Sequence, residues 1–333
     1  MKIGFIGAGA MAGVYADRIA ELPDAEVAAV ASPNSAEAFV AEQVPDATAY
    51  TSAAELCEDD NLDAVAVLTP THTHQEMVEL AADHGLDVIC EKPLARTLEE
   101  AYAIRDAVEE AGITFLTAHV VRFFPEYATA KARVDSGAIG EPGIARTRRA
   151  FGYQGARGWF DEQEKSGGVL LDLAIHDFDY LRWAIGDVKH VFTRHSEWSK
   201  DARSEVSLTL LRFENGAVGH VEGWWIEVPG VPFTAAFELA GDDGLIEYDN
   251  DDVAPITTYD QEDVHVPRDP VGDDFPIAED GYYRQLEHFA DCVRGEADPK
   301  IPVEEGIESM KVSLAAIESA KRGEPVTPAE VEP

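Results

Sequence analysis

Apolar and polar positions along the first 118 residues alternate between the period of strands and the period of helices. Five short apolar runs predict β-strands: Ile3–Ile6, Val27–Val30, Ala64–Leu68, Val88–Cys90 and Thr114–Thr117. Helix-length segments separate them, among them Ala10–Leu22, which Pro23 ends, and a segment from Thr97 to about Ala111. Thr97 and Glu100 have the spacing of a capping box. Strands that alternate with helices predict a parallel, doubly wound sheet, and we assign residues 1–118 to this first domain.

Beyond residue 118, strand-like segments follow one another at the spacing of hairpins. The predicted strands are Val191–Trp198, Val206–Phe213, Ala217–Trp225 and Phe233–Leu239. The predicted helices are about Glu126–Ser136, Val169–Trp183, about Tyr282–Arg294 and Val303–Arg322. This order predicts an α+β domain over residues 119–326, with a largely antiparallel sheet and helices on one face.

Two stretches of the second half carry weaker signals. The acidic, proline-rich segment Asp249–Gly281 is expected to form loops with short strands. The chain from Glu324 is expected to fray, and residues 327–333 are assigned to a tail.

A glycine-rich turn lies between the first predicted strand and the first predicted helix. Its sequence is Gly7-Ala8-Gly9-Ala10-Met11-Ala12. Gly7 permits a tight turn, Gly9 lets the backbone approach a pyrophosphate, and Ala12 allows the helix to pack closely on the strand. The helix N-terminus at Ala10 and Met11 supplies free N–H groups for an anion. A turn that binds nothing is the alternative, but the alternation around the motif favours dinucleotide binding.

The residue after the second strand bears on the choice between NAD and NADP. An acid at that point would hold the ribose hydroxyls of NAD. This chain has Ser32 there, followed by Pro33 and Asn34. Ser32 can donate to a 2′-phosphate and no acid repels it, although no arginine stands beside it. The sequence therefore leans towards NADP, with the alternative that Ser32 is a turn residue and NAD is accepted as well.

Two further turns follow strands whose carboxyl ends face the ligand crevice of such a sheet. Glu91-Lys92-Pro93 comes directly after the strand Val88–Cys90. A lysine held there by the following proline could reach a nicotinamide and stabilise a developing alkoxide. An exposed loop lysine is the alternative, but a position after a buried strand, in a chain with nine lysines, favours the functional role.

The other turn begins at Thr69 and contains two histidines, His72 and His74. Either histidine could contact the ribose or phosphates of a cofactor. Alternatively, Thr71 or Thr73 caps the next helix and the histidines are exposed; both interpretations can hold together.

The second domain offers an acid and an imidazole after the pair Gly167-Gly168. Asp172 and His176 are four residues apart and would lie one above the other on a helix Val169–Trp183, with Asp179 and Trp183 extending the same line. Histidine titrates near neutrality and suits removal of a hydroxyl proton as hydride leaves. A solvated polar face with an ordinary Asp–His pair is the alternative. Neither a G-x-S-x-G sequence nor a convincing metal-ligand spacing occurs, so we expect no serine nucleophile and no metal.

Composition narrows the possible partners. The chain of 333 residues has 64 Asp plus Glu against 26 Lys plus Arg, a net charge of -38 spread along its whole length. Such a charge repels nucleic acids and anionic lipids, so neither is an expected partner. Dispersed acids with few lysines are typical of a protein that works in concentrated salt, which screens self-repulsion. We therefore expect a halophilic protein.

Cysteine usage and hydropathy bear on location. The three cysteines are far apart and odd in number, which suits neither a disulfide framework nor a zinc site. No apolar run reaches 18 residues, and Met1–Ile6 lacks the features of a signal peptide. The cytoplasm is the expected location.

Taken together, these motifs resemble the Gfo/Idh/MocA family, the relatives of glucose–fructose oxidoreductase and inositol dehydrogenase. The resemblance runs from Lys2 to about Val326. Its features are the glycine turn, Thr69-Pro70 with His74, Glu91-Lys92-Pro93, His119 through Arg122 to Pro125, and Gly167-Gly168 with Asp172 and His176. Ser32 departs from the acid that many relatives carry.

The resemblance implies a Rossmann domain and a second domain with a large open sheet that forms homodimers or homotetramers. It implies that Lys92 lies beside the nicotinamide, in a Lys92-Pro93 bond that can be cis, and that His176 is the acid/base with Asp172 orienting it or the substrate. His119, Arg122, Trp159 and Tyr283 are then substrate-pocket candidates.

The expected activity is an NAD(P)-dependent dehydrogenase or reductase that acts on a sugar, sugar derivative or inositol. Two alternatives stay open: a glycosidase that uses bound NAD, and a cofactor-sensing regulator on the same fold. The regulator ranks last, because Lys92, Asp172 and His176 are all present.

Overall fold

The computed structural model of the chain describes residues 1–152, 158–197, 204–228, 230–250, 256–260, 264–265 and 281–332. It divides into two units. The first comprises Met1–Phe124 and Glu279–Glu308, and the second comprises Pro125–Ala278 and Ser309–Glu332. Within the described residues, every helix is too short or too polar to cross a membrane.

The first unit is built on a six-stranded parallel sheet in the order β3-β2-β1-β4-β5-β6. Its strands are β1 (Lys2–Ile6), β2 (Glu26–Ala31), β3 (Thr48–Tyr50), β4 (Ala64–Val67), β5 (Asp87–Glu91) and β6 (Phe115–Ala118). The sequence predicted all of them except β3, which has only three residues. Strands buried on both faces need continuous apolar runs, and β4 shows this with four fully buried residues.

Helices connect these strands, as the doubly wound pattern requires. They are α1 (Ala10–Ile19), α2 (Ala36–Gln43), α3 (Ala53–Cys57), α4 (His74–Asp83) and α5 (Leu98–Ala111). The capping box predicted at the start of α5 is confirmed: Thr97 Oγ1 accepts from the N–H of Glu100 at 3.2 Å, and Glu100 Oε2 accepts from the N–H of Thr97 at 3.1 Å. The helix ends at Gly112, which has a left-handed φ of 64°.

The second unit is built on an eight-stranded sheet in the order β14-β13-β12-β11-β7-β10-β9-β8. Its strands are β7 (Pro142–Gly152), β8 (Val188–Glu197), β9 (Glu205–Phe213), β10 (Val218–Ile226), β11 (Thr234–Gly241), β12 (Gly244–Asp249), β13 (Ile256–Asp260) and β14 (Val264–His265). All pairings are antiparallel except that between β7 and β10. The predicted antiparallel sheet is confirmed, but the sequence missed β7, which lies at its centre. Trp198 and most of Asp249–Gly281 lie outside the described residues.

The helices of the second unit between Pro125 and β8 are α6 (Pro125–Asp135), α7 (Gln163–Ser166), α8 (Gly168–Asp172) and α9 (Ile175–Ile185). The prediction of one continuous helix over Val169–Trp183 is therefore wrong. The backbone angles of Leu173 and Ala174 stay in the helical region, but the regular hydrogen-bond pattern is interrupted there: the N–H of Ala174 reaches back to the carbonyl of Val169, five residues earlier.

Two last helices, α10 (Gly281–Val293) and α11 (Val303–Arg322), complete the fold. Leu286 and Phe289 of α10 are buried in the core of the first unit, with Ile301. The N–H of Thr117, in β6, donates to the carbonyl of Ile301 at 2.8 Å. Residues 281–308 thus lie with the first unit, although the sequence assigned them to the second domain.

The chain after α11 is ordered rather than frayed. Val326 is 1% exposed and pairs with Val191 of β8 through two backbone hydrogen bonds of 2.8 and 2.9 Å. A short 3₁₀ turn, Pro328–Glu330, follows. The expectation of a frayed end from Glu324 is wrong, because this segment extends the second unit by a backbone bridge.

Candidate active site

Three of the motifs singled out in the sequence follow adjacent strands of the first unit. The glycine turn follows β1, the Thr69 turn follows β4, and Lys92 follows β5. Strand β4 pairs in parallel with β1 on one side and with β5 on the other, so the carboxyl ends of all three strands lie at one edge of the sheet. The strand order reverses between β1 and β4, and such a switch point is where doubly wound sheets bind ligands.

The glycine turn has the geometry that a dinucleotide site needs. Gly7 has a φ of +116°, and a Cβ there would lie 2.6 Å from the carbonyl oxygen of Leu68, so this position requires glycine. A Cβ on Gly9 would meet nothing within 4 Å. Gly9 precedes α1, and both Gly9 and Ala10 are exposed. The turn therefore offers open space and the N-terminal end of a ten-residue helix, which fits a pyrophosphate.

Ser32 follows β2, at the position that bears on cofactor choice. Its hydroxyl lies 2.7 Å from the hydroxyl of Ser35, the residue that precedes α2. Ser32 is half-buried. The end of β2 thus presents hydroxyl groups, with no carboxylate among Ala31, Ser32 and Pro33.

The Glu91-Lys92-Pro93 turn is held by hydrogen bonds that the sequence did not predict. The Lys92-Pro93 bond is cis, as the family resemblance implied. Glu91 Oε2 accepts from the backbone N–H of Lys92 at 3.1 Å, and Glu91 Oε1 accepts from the hydroxyl of Tyr15 at 2.9 Å. Tyr15 in turn accepts from Nε2 of Gln285 at 3.1 Å. The sequence analysis singled out neither residue, and Gln285 is 270 positions away from Tyr15.

His74 joins two of the three turns. It is 1% exposed, its Nδ1 lies 3.0 Å from the carbonyl oxygen of Pro93, and its Nε2 lies 3.0 Å from that of Thr69. Burial lowers the pKa of His74, and the charge of Lys92 lowers it further, while the carbonyl contacts act in the opposite direction. His74 therefore links the Thr69 and Lys92 turns through its two ring nitrogens. The direct cofactor contact predicted for His74 stays a prediction.

The alternative interpretation of the Thr69 turn is that a threonine caps α4 and that both histidines are exposed. His72 is exposed. Thr73 precedes α4, but its hydroxyl donates to the carbonyl of Pro70 at 2.7 Å and makes no cap to the helix. The turn is therefore closed on itself, and His74, the first residue of α4, packs inward.

The substrate-pocket candidates are spread over both units. His119 directly follows β6 and is fully buried. Arg122 is 7% exposed and pairs with Glu305 of α11 at 2.6 Å, so its charge is compensated. Tyr283 is half-buried on α10. In the second unit, Trp159 stacks on Phe160 with ring centroids 4.0 Å apart.

The glycine pair of the second unit has the left-handed backbone conformation that favours glycine. Gly167 and Gly168 have φ of +84° and +68°, and a Cβ on Gly168 would lie 2.8 Å from Glu205 Oε2. That same oxygen accepts from the backbone N–H of Val169 at 3.1 Å and lies 3.1 Å from His195 Nε2. Glu205 of β9 thus holds the start of α8.

Asp172 and His176 lie on two helices rather than one. Asp172 is the last residue of α8 and is 9% exposed, whereas His176 is the second residue of α9 and is half-buried. The prediction that both lie on one continuous helix is wrong, because the regular hydrogen bonding is interrupted at Leu173 and Ala174. Asp179, which the sequence placed on the same line, is fully buried and accepts from the hydroxyl of Ser309 at 2.8 Å.

Sequence reasoning also missed the ion pair that attaches α9 to the sheet. Asp177 Oδ2 accepts from Nε of Arg149 at 2.9 Å, with side chains 1% and 7% exposed. Arg149 Nη2 donates to the hydroxyl of Tyr127 at 3.2 Å. Burial opposes the charge of Arg149, but Asp177 and Tyr127 outweigh it, so the pKa of Arg149 is raised. The pair therefore anchors the residue next to His176.

The first half of the chain is a doubly wound, nucleotide-binding unit, and the family models assign the chain to the oxidoreductases. Residues 1–119 match the family model described as "Oxidoreductase family, NAD-binding Rossmann fold". Residues 131–327 match its companion, "Oxidoreductase family, C-terminal alpha/beta domain". The chain belongs to the Gfo/Idh/MocA oxidoreductase family.

Named relatives differ in the substrates and cofactors that their names give. The chain is 32% identical to a scyllo-inositol 2-dehydrogenase (NAD(+)) of Bacillus subtilis, over 82% of this chain and 79% of the relative. It is 30% identical to D-xylose 1-dehydrogenase (NADP(+)) 2 of Haloferax volcanii, over 90% of each chain. Among solved structures, a probable dehydrogenase from Thermotoga maritima is 26% identical, with a TM-score of 0.85 over 100% of both chains.

Proposed function

We propose that this chain transfers a hydride between a nicotinamide cofactor and a hydroxyl or carbonyl carbon of a sugar, sugar derivative or inositol. The observation that carries the proposal is the alignment of the Gly7, Thr69 and Lys92 turns at one sheet edge, beside the switch point between β1 and β4. Relatives named as inositol and xylose dehydrogenases support the class of substrate.

The first unit would hold the cofactor. Gly7, Gly9, Ala10 and Met11 would face the pyrophosphate, with the N-terminal end of α1 favouring its negative charge. The other expected cofactor contacts are Ser32 at the adenosine ribose, His74 at the ribose or phosphates, and Lys92 beside the nicotinamide. Thr69 and Glu91 complete the proposed set. When bound, the nicotinamide supplies the hydride acceptor or donor.

The chain's own residues would handle the proton and the developing charge. Lys92 places a cation where an alkoxide develops, which lowers the barrier to removing the hydroxyl proton. His176 takes that proton, or returns it in the reductive direction, because an imidazole can both accept and donate a proton in acid–base catalysis. Asp172 orients His176 or the substrate. His119, Arg122, Trp159 and Tyr283 are proposed to line the substrate pocket.

The cofactor preference proposed here leans to NADP. Ser32 and Ser35 give the end of β2 two hydroxyl groups and no carboxylate that would repel a 2′-phosphate. Relatives are named with either cofactor, so we test both.

The deciding experiment is a screen of sugars, sugar acids and inositols with NAD and NADP separately, in molar salt, following the absorbance of reduced cofactor. Lys92→Ala and His176→Ala should each lower turnover by about a hundredfold or more, the scale of general acid–base catalysis. Lys189→Ala and His84→Ala, both at exposed positions, are the matched controls. Near-normal turnover in either site variant would remove that residue from the mechanism. Sugar release without change in reduced-cofactor absorbance would favour a glycosidase instead.

We also propose that the chain forms a homo-oligomer through the second unit's sheet. Ile144, Leu208, Leu210 and Val218 are between 43% and 49% exposed on strands β7, β9 and β10. Val218 pairs directly with Ile144 across the parallel ladder, so these apolar side chains are neighbours on one face. A second copy of this sheet is a partner of matching chemistry. A cytoplasmic, high-salt setting is the environment proposed for the assembly, on the grounds of free cysteines and dispersed acids.

A further inference from the structure

The hydrogen bonds around Glu91 form a chain that begins at the backbone of Lys92 and ends on α10. All its members lie in the first unit: Glu91 ends β5, Tyr15 is on α1, and Gln285 is on α10. Tyr15 and Gln285 are fully buried, and Glu91 is 8% exposed. The glycine turn's own helix is thereby connected to the turn that carries Lys92.

We propose that Tyr15, backed by Gln285, is a positioning residue that sets the place of Lys92 through the carboxylate of Glu91. The inference rests on the proposed role of Lys92 at the reacting carbon. It assigns to Glu91 an inward, supporting task rather than a contact with the substrate.

The donor and acceptor roles of these groups fix the direction of every hydrogen bond in the series. A carboxylate only accepts, and both oxygens of Glu91 are used, one by the N–H of Lys92 and one by Tyr15. Tyr15 must therefore donate its one hydroxyl proton to Glu91. What Tyr15 then needs is a donor, and Nε2 of Gln285 supplies it at 3.1 Å. Burial and the Glu91 charge raise the pKa of Tyr15 well above its ordinary value, so the donor proton stays in place.

The ring of Tyr15 has little freedom to relax if the chain is cut. It packs edge-on against Phe5 of β1 and in a tilted contact against Tyr282 of α10, each with centroids 6.4 Å apart. The hydroxyl is thus delivered to Glu91 from a rigid frame.

The hydrogen bond from Gln285 to Tyr15 is made although burying Gln285 costs free energy. Its Oε1 is buried and has no hydrogen-bond partner within the described part of the chain. An apolar side chain of similar size would fill the same core position without an unsatisfied carbonyl. The gain that keeps glutamine there is its donation to Tyr15.

The first test is Tyr15→Phe in the full-length protein, alone and combined with Lys92→Met. The single change should lower kcat by about tenfold, the scale of a buried hydrogen bond to a charged group, while the Kd for reduced cofactor, followed by fluorescence, changes less than about threefold. In the Lys92→Met background the same change should have almost no further effect, because the residue it positions is gone. Gln285→Met should act in the same direction with a smaller loss.

The control is Tyr50→Phe, which removes a second tyrosine–carboxylate bond of this unit, from Tyr50 to Asp59 at 3.1 Å, and should leave kcat unchanged. The inference is overturned if Tyr15→Phe lowers kcat equally in both backgrounds. It is also overturned if Tyr15→Phe keeps the wild-type kcat while Lys92→Met is inactive.

A measurement without cofactor separates this inference from the proposed function. The chain has nine lysines, so the side-chain Cε resonance of Lys92 can be assigned from a Lys92→Arg sample. Tyr15→Phe should displace or broaden that resonance, and Tyr50→Phe should not. If Lys92→Met keeps full activity, the proposed role of Lys92 fails, and this resonance alone then decides whether Tyr15 positions the side chain; an unmoved resonance refutes it.

Discussion

Cutting the buried ion pair between Arg149 and Asp177 should destabilise the second unit strongly. The change Asp177→Asn keeps the size of the side chain but leaves the Arg149 guanidinium, 7% exposed, without its counter-charge. Removing one member of a buried pair costs about 3–5 kcal/mol, because the remaining charge stays desolvated. With a urea m-value of about 2–3 kcal/mol per molar, the midpoint of unfolding should fall by about 1–2.5 M.

Tryptophan fluorescence is the natural probe, since all five tryptophans lie between positions 159 and 225, inside the second unit. The matched control is Glu238→Gln, which breaks the exposed pair with Arg146 on the same strand, β7, and should cost about 0–1 kcal/mol. Replacing the whole pair, by Arg149→Met with Asp177→Leu, should recover most of the loss. Similar midpoint shifts for Asp177→Asn and Glu238→Gln would refute the reasoning.

Four further outcomes are expected. Ser32→Asp should lower kcat/KM for NADP relative to NAD by at least tenfold, about 1.4 kcal/mol, through repulsion of the 2′-phosphate; an unchanged ratio contradicts the NADP preference. Burial and the Lys300 charge lower the pKa of His288, so below about pH 6.5 the unfolded chain binds a proton that the folded chain does not. The melting temperature therefore falls as the pH is lowered, and His288→Gln should make this fall smaller. Glutamine can still accept from the N–H of Lys300, as His288 Nε2 does at 3.0 Å. If the melting temperature of His288→Gln depends on pH as that of the wild type does, His288 is not the cause of the fall. Dilution from molar to millimolar salt should abolish the native circular dichroism signal, and full stability there would end the halophilic interpretation. Leu210→Glu should convert the oligomer to monomer in sedimentation, and an unaltered mass would exclude that sheet face as the interface.

Local patterns predicted the elements whose stability is largely local. The capping box and the helical period gave α5 its start and end, and α11 has the bounds that its period predicted. The doubly wound order of the first unit followed from apolar runs that must be buried on both faces. The strand-end positions of Gly7, Thr69 and Lys92 followed from the same alternation.

Elements that depend on distant partners escaped prediction. The buried positions of β7 are Ala145, Thr147, Arg149 and Ala150, so the strand has no apolar alternation. Arg149 tolerates burial only because Asp177, 28 positions later, reaches it. Similarly, Val326 is ordered because it pairs with Val191. The helical period of the sequence does not reveal the interruption at Leu173 and Ala174, which separates Asp172 from His176. The sequence also carries no signal for Tyr15, whose partner Glu91 is 76 positions away.

The return of the chain to its first unit has a consequence for biosynthesis. As the ribosome releases the polypeptide, the nucleotide-binding half lacks Leu286, Phe289 and Ile301 until synthesis has passed residue 301. A fragment ending near residue 124 would expose the apolar surface that these side chains cover and would be prone to aggregation. Maturation of this half must therefore wait for the carboxyl-terminal helices, and gene truncations at the apparent domain boundary would yield an incomplete nucleotide-binding body.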